Sequence, residues 1–256
     1  MRFDVITLFP ELFAPFLESG VTRRAFESKQ VDVRLWNPRD FADGNYRRVD
    51  DRPFGGGPGM VMLAEPLARC VGAIRADRLD ADNRAPLVLF SPVGDRLDHA
   101  GVERWSAGNG ALLLCGRYEG IDQRFIDTHV DAQISLGDFV LSGGEIVAMA
   151  LLDAVARLQP GVLNDAGSHQ EDSFNPALDG LLDCPHYTRP EAWNGQPVPD
   201  VLLSGHHAQI ERWRREARIA ITAKLRPDLI AAARTAGRLS KADEAALHAL
   251  PTVPAA

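Results

Sequence analysis

Apolar positions in the first 160 residues fall into two rhythms. Five short runs, 3–9, 31–36, 86–90, 111–115 and 132–135, are dense in leucine, aromatic and β-branched residues and have the length of strands. Between them, 64–76 and 121–130 repeat apolar residues at helical spacing. The strongest helix is predicted over 145–158, where Ile146, Val147, Met149, Ala150, Leu152 and Val155 nearly encircle the axis, so it should be buried against a sheet or a partner chain. This alternation reads as an α/β fold. Pro160-Gly161 breaks the pattern, and 164–171 is small, polar and aperiodic, the character of a linker. Beyond it the β-rich runs largely disappear. Residues 207–225, 227–236 and 240–249 read as helices, the last opening on a Ser240 cap with Asp243 three positions on, which predicts a small helical C-terminal domain.

A chain of 256 residues fits one large domain or a large and a small one. Its longest apolar stretches, 86–90 and 146–152, fall far short of the roughly 18 residues of a membrane span, so no membrane partner is expected. The N-terminal run carries Asp4 and lacks a small-residue cleavage site, unlike a secretory signal. Cys70, Cys115 and Cys184 form no C-x-x-C pair, which suits a reducing compartment, and a cytoplasmic protein is expected. The net charge of −7 disfavours a nucleic-acid partner only on average. Residues 205–226 hold Arg212, Arg214, Arg215, Arg218, Lys224 and Arg226 against Glu211 and Glu216, a local +4. Arg212, Arg215 and Lys224 come near one another at helical spacing, giving either an RNA-binding face or a solvated helix face anchored by Trp213.

Three glycine-rich turns carry the candidate chemistry: Gly55-Gly56-Gly57-Pro58-Gly59, Gly116-Arg117-Tyr118-Glu119-Gly120, and the segment 137–145 with Gly137, Gly143 and Gly144. The second and third each follow a β-rich run and precede a helix, where open α/β sheets place their ligands. None matches a dinucleotide fingerprint or a phosphate-binding P-loop, which leaves open a nucleoside held by backbone groups. Taken alone, Asp172 reads as a helix cap or a solvated acid, and Arg157 as a cation favoured at a helix C-terminus. His206-His207 and Cys184 with His186 lack the spacing of a metal site, and no G-x-S-x-G elbow occurs.

Together these motifs resemble the bacterial tRNA (guanine-N1)-methyltransferases of the SPOUT superfamily. The resemblance runs in order through Phe3-Asp4-Val5-Ile6-Thr7-Leu8-Phe9-Pro10, Arg52-Pro53-Phe54-Gly55-Gly56-Gly57-Pro58-Gly59-Met60, Ser91-Pro92, residues 115–122 and 137–145, and Pro160-Gly161-Val162-Leu163. It continues through Glu171-Asp172-Ser173-Phe174, residues 181–190, and Leu202-Leu203-Ser204-Gly205-His206-His207, covering nearly the whole chain.

The resemblance implies a SPOUT-type parallel sheet with a deep trefoil knot over residues 1–163, an interdomain linker over 164–175 and a helical tRNA-binding domain over 176–256, working as a homodimer. It implies that S-adenosylmethionine is held by Ser91, Pro92, Gly116, Tyr118, Glu119, Leu136, Gly137, Leu141, Gly143 and Gly144. Leu136 stands where the family often has isoleucine, and Phe139 where it often has tyrosine, which removes a hydroxyl. The methyl group would go to N1 of the guanine at position 37 of tRNA, immediately 3′ of the anticodon, with the anticodon stem-loop as partner. Asp172 matches the base that takes the N1 proton and Arg157 the cation that stabilises charge on O6, with Arg157 on the cofactor-holding chain and Asp172 from its partner. Glu119 matches a residue tied to magnesium dependence, although the sequence has no recognisable magnesium motif. Two other readings stand beside this one: a ribose 2′-O methyltransferase of the same superfamily, and a non-catalytic RNA-binding module that keeps the knot.

Overall fold

The computed structural model describes residues 1–78, 85–164 and 169–250. Its chain divides into two units, Met1–Asn164 and Asp165–Ala256. The first runs β1 (Arg2–Ile6), α1 (Ala14–Glu18), α2 (Arg23–Glu27), β2 (Asp32–Trp36), β3 (Asp50–Asp51), β4 (Val61–Met62), α3 (Ala64–Asp77), β5 (Leu87–Arg96), α4 (His99–Ser106), β6 (Gly110–Leu114), α5 (Gln123–His129), β7 (Ala132–Ser135) and α6 (Glu145–Arg157). Five strands form one sheet in the order β2-β1-β6-β5-β7, and every pair in it is parallel.

Both faces of this sheet are covered, which is why its strands read as continuous apolar runs instead of alternating ones. Phe3, Val5, Val88, Ala111 and Leu113 face Val147, Ala148, Leu151, Leu152 and Val155 of α6. Their neighbours Ile6, Leu87, Leu89, Leu112 and Leu114 face Leu67, Val71 and Ile74 of α3 and Phe125 of α5. The acid inside the first run is buried but not unpaired. Asp4 is fully enclosed and accepts hydrogen bonds from Trp36 Nε1 at 2.9 Å, Arg78 Nε at 2.7 Å and the Arg2 guanidinium, so its charge is met by donors on every side. Helix α4 was not legible in the apolar pattern. Its signal is the Asp98 cap, whose carboxylate accepts from the Gly101 N–H at 2.7 Å.

At the carboxyl ends of the strands the backbone leaves regular pairing. Phe90 and Asp95 of β5 both stand opposite Ile134 of β7, so residues 91–94 loop out of the sheet and the strand then returns. The return is close: a β-carbon on Gly94 would lie 2.5 Å from the Gln133 carbonyl carbon. A second close crossing joins the segment after β6 to the start of α6. The Gly144 N–H donates to the Gly116 carbonyl at 3.1 Å, and a β-carbon on Gly144 would lie 2.8 Å from Cys115 Cα. Only glycine allows backbones to approach in this way.

The second unit holds a two-residue hairpin, β8 (Ala192–Trp193) with β9 (Gln196–Pro197), followed by α7 (Asp200–Leu203), α8 (His207–Leu225), α9 (Pro227–Thr235) and α10 (Lys241–Ala249). Leu181, Ile219, Ile230 and Ala233 form its core. The Ser240 cap is present as a reciprocal capping box with Asp243. Of the segment expected as a linker, 165–168 lie outside the described residues. Ser173 and Asn175 are tied to the second unit: Ser173 Oγ accepts from the Asp183 N–H at 2.9 Å, and Asn175 Oδ1 from the Ala177 N–H at 2.8 Å. Among the described residues no helix is long and apolar enough to cross a membrane.

Two stability outcomes follow from these contacts. Gly144→Ala forces a methyl group against Cys115 and is expected to cost about 1–3 kcal/mol, as overpacking does; an unchanged urea midpoint would show that the crossing can open. Asp243 is held at about 2, down from 3.8, chiefly by its hydrogen bonds from Arg215. A carboxyl lowered in the folded state adds stability that is complete above its unfolded value and is lost as pH falls through the folded one. Asp243→Asn is therefore expected to be about 2 kcal/mol less stable at neutral pH, with the gap to wild type closing between about pH 4 and about pH 2, read by thermal unfolding across that range.

Candidate active site

Three segments that are distant in sequence meet over the carboxyl ends of β5, β6 and β7. They enclose a cavity of about 230 Å³. Ser91 and Pro92 come from the excursion of β5, Gly116, Tyr118 and Glu119 from the turn after β6, and Leu136, Gly137, Leu141, Gly143 and Gly144 from the segment between β7 and α6. All ten residues that the resemblance assigned to the cofactor thus line one space. Leu89, Ile121 and Ile126 supply apolar wall, while Arg117 and Ser142 add polar groups that sequence reasoning had not singled out. Phe139 also lines the cavity, with its ring 3.2 Å from where a β-carbon of Gly137 would stand, so the ring contact does not need the missing hydroxyl.

The turn after β6 is fixed from two sides. The glycine-rich segment that ends in β4 supplies one: Glu119 N–H donates to the Met60 carbonyl at 3.0 Å, and Met62 N–H to the Gly120 carbonyl at 2.9 Å. The Glu119 side chain lies over Gly59, where a β-carbon would have to displace it. Tyr118 adopts a left-handed backbone, φ +62°, and its hydroxyl lies 3.5 Å from Arg39. Burial, followed by the charge of Asp50, raises its pKa, so it remains a neutral phenol at physiological pH. Burial also pushes the Cys115 thiol well above its ordinary value, which leaves it inert behind the cavity.

The remaining predicted residues are elsewhere. Arg157 is the last residue of α6, whereas Gly144 precedes its first. At 1.5 Å per residue the two ends of this helix stand about 18 Å apart. Within one chain, Arg157 and the cavity therefore lie at opposite ends of α6. Asp172 belongs to the second unit, where its carbonyl accepts from the Asn175 N–H at 3.2 Å. Among the described residues no group of three or more His, Cys, Asp or Glu side chains could hold a metal ion.

The basic run in α8 changes meaning once its partners are visible. Arg215 forks onto Asp243 at 3.0 and 2.9 Å and also reaches Asp179 at 2.7 Å, and the buried Arg218 faces Asp183 at 3.3 Å. These two cations hold the second unit together. Arg212 and Arg214 lie outward in pairs with Glu216 and Glu211. Exposed pairs of this kind are weak and can be exchanged for phosphates.

Known proteins are similar to this chain over nearly its whole length. The family described as "tRNA (Guanine-1)-methyltransferase TrmD" matches residues 1–232. The chain is 78% identical to the tRNA (guanine-N(1)-)-methyltransferase of Paracidovorax citrulli over 98% of each chain. It is 75% identical to the protein of that name from a Polaromonas species over 96% of each, and 57% identical to that of Bordetella pertussis over 98% of each. A match of this extent places the chain in the tRNA (guanine-N1)-methyltransferase family.

Proposed function

We propose that this protein transfers a methyl group from S-adenosylmethionine to N1 of the guanine at position 37 of tRNA, immediately 3′ of the anticodon, in the cytoplasm. One observation carries this reading: ten residues from three separate segments converge on a single cavity at the carboxyl edge of a parallel sheet. Its glycine backbones and apolar walls suit an adenosine held by main-chain groups. When bound, the donor supplies an electrophilic methyl on a sulfonium. The two backbone crossings, at Gly94 and Gly144, support the trefoil knot that the family resemblance implies.

Guanine N1 carries a proton at neutral pH, so its lone pair becomes available only when a base removes that proton. Asp172 is the base in this reading. Loss of the proton places negative charge on O6, where the Arg157 guanidinium stabilises it in a site shielded from water. The same cation lowers the demand on a carboxylate that is otherwise a weak base for this proton.

The enzyme is proposed to work as a homodimer with shared sites. Helix α6 supports this, because its outward stripe joins the exposed Ile146 and Ala150 to Asp153 and Arg157 at helical spacing. In a two-fold pair the same face meets itself. If the two α6 helices run antiparallel, the partner subunit's Arg157 arrives at the first turn of this chain's α6, beside the cavity. Both the arginine and the aspartate that meet the guanine are then the partner's, which resolves the 18 Å separation estimated from the helix rise, about 1.5 Å per residue. The second unit binds the anticodon stem-loop, using the outward Arg212, Arg214 and Lys224 in place of Arg215 and Arg218, which are engaged by acids of their own unit.

The product test is mass spectrometry of nuclease-digested tRNA after incubation with S-adenosylmethionine. N1-methylguanosine is expected next to the anticodon; a ribose-methylated nucleoside or no product would overturn the reading. Asp172→Asn is expected to keep donor binding and to slow methyl transfer about 10²- to 10⁴-fold in single turnover. Shared sites are tested with purified heterodimers made by co-expression. Leu141→Arg paired with Asp172→Ala puts both lesions in one site and restores activity in the other. Arg157→Ala paired with Asp172→Ala leaves one lesion in each site and stays inactive. Activity from the second pair would return Arg157 to the cavity's own chain.

A further inference from the structure

Behind the cavity lies a charged cluster that the proposed chemistry does not use. Glu145, in the first turn of α6, is 1% exposed. Its Oε1 accepts from Thr7 Oγ1 at 2.8 Å and from Arg117 Nε at 3.2 Å, and its Oε2 stands 3.0 Å from an Arg117 terminal nitrogen. The other arm of Arg117 donates to the Ser142 carbonyl at 3.1 Å, and the guanidinium carbon sits 4.4 Å from the centre of the Phe9 ring. Thr7 Oγ1 in turn accepts from the Phe9 N–H at 3.0 Å. Gly143 has no room for a β-carbon, because Arg117 and Glu145 fill the space.

The cluster binds three chain segments at one point. Thr7 and Phe9 come from the segment just after β1, Arg117 from the turn after β6, Ser142 from the approach to α6 and Glu145 from its first turn. Arg117 and Ser142 line the cavity, whereas Thr7, Phe9 and Glu145 stand behind its wall. A buried ion pair is a poor source of stability, since a well-packed apolar pair does as well or better. What it provides is geometry: a guanidinium fork with one carboxylate and one carbonyl has a single arrangement. The Thr7-Leu8-Phe9-Pro10 motif, to which the sequence assigned no role, thereby acquires one.

We infer that Arg117 and Glu145, braced by Thr7 and Phe9, are positioning residues that set the spacing of the two walls between which the methyl donor binds. This rests on the proposed function and adds a means by which the segment after β1, outside the cavity, controls donor affinity. No proton or electron moves through the cluster.

The test is equilibrium binding of S-adenosylmethionine and of methylthioadenosine, which lacks the amino-acid portion, to wild type and to the neutral double variant Arg117→Met/Glu145→Gln. That variant removes both charges and keeps the Thr7 hydrogen bond, so its thermal midpoint is expected to stay near wild type. Both ligands are expected to bind about 100-fold more weakly, the effect of a wall displaced by roughly 1 Å, while the KM for tRNA stays unchanged. Arg117→Met alone should do as much as the pair, because the two residues act as one unit. Phe9→Leu, which leaves both charges in place, should weaken binding in the same direction and covers the case of a double variant that does not fold. Loss confined to S-adenosylmethionine would make Arg117 a direct ligand for the amino-acid portion and overturn the positioning role. Unchanged binding in all variants overturns this inference alone, whereas a wild type that binds no S-adenosylmethionine overturns both it and the function beneath it.

Discussion

Two stretches of backbone pass each other at the start of α6 with no side chain between them, and the architecture of the carboxyl edge depends on that contact. The hydrogen bond from Gly144 to Gly116 joins the segment before α6 to the segment after β6, and the excursion of β5 closes the third side through Gly94. Main-chain crossings of this kind have almost no freedom to adjust, because nothing in them can change rotamer. At the crossing itself the cavity is therefore anchored to the end of β6, a strand buried along its whole length. A ligand meets amides and carbonyls whose positions are fixed before it arrives, which spares the site much of the ordering cost of binding.

The sheet was legible because burial on both faces leaves a continuous apolar signature. Runs 31–36, 111–115 and 132–135 correspond closely to β2, β6 and β7, and the helices 145–158 and 207–225 to α6 and α8. The far half of β5 was not legible. Ser91-Pro92 ends the apolar run, and the return at Asp95-Arg96 is fixed by pairing with β7 some forty residues later, as the register shows. The glycine turns could be read as turns, but their convergence depends on β6 lying between β1 and β5, an order that local pattern does not encode. The resemblance supplied the cavity residues that periodicity could not.

Charge was the most misleading signal. The +4 of residues 205–226 is a sum over neighbours in sequence, whereas Coulomb's law acts between neighbours in space. Arg215 meets acids 28 and 36 residues away, and Arg218 one 35 residues away. A basic stretch in an acidic chain can therefore be its own counterion system, with only the outward arginines left for a polyanion.

The length of α6 has an evolutionary consequence. Each residue of an α-helix adds about 1.5 Å and about 100° of rotation. A single insertion between Glu145 and Arg157 would swing the arginine off the stripe shared with Ile146 and Ala150, and would turn the buried residues after it away from the sheet. If Arg157 acts from that stripe as proposed, the residue count of this helix is under tighter constraint than its exposed side chains. Among descendants of this chain, gaps should accumulate in the loops and be purged from the thirteen positions of α6.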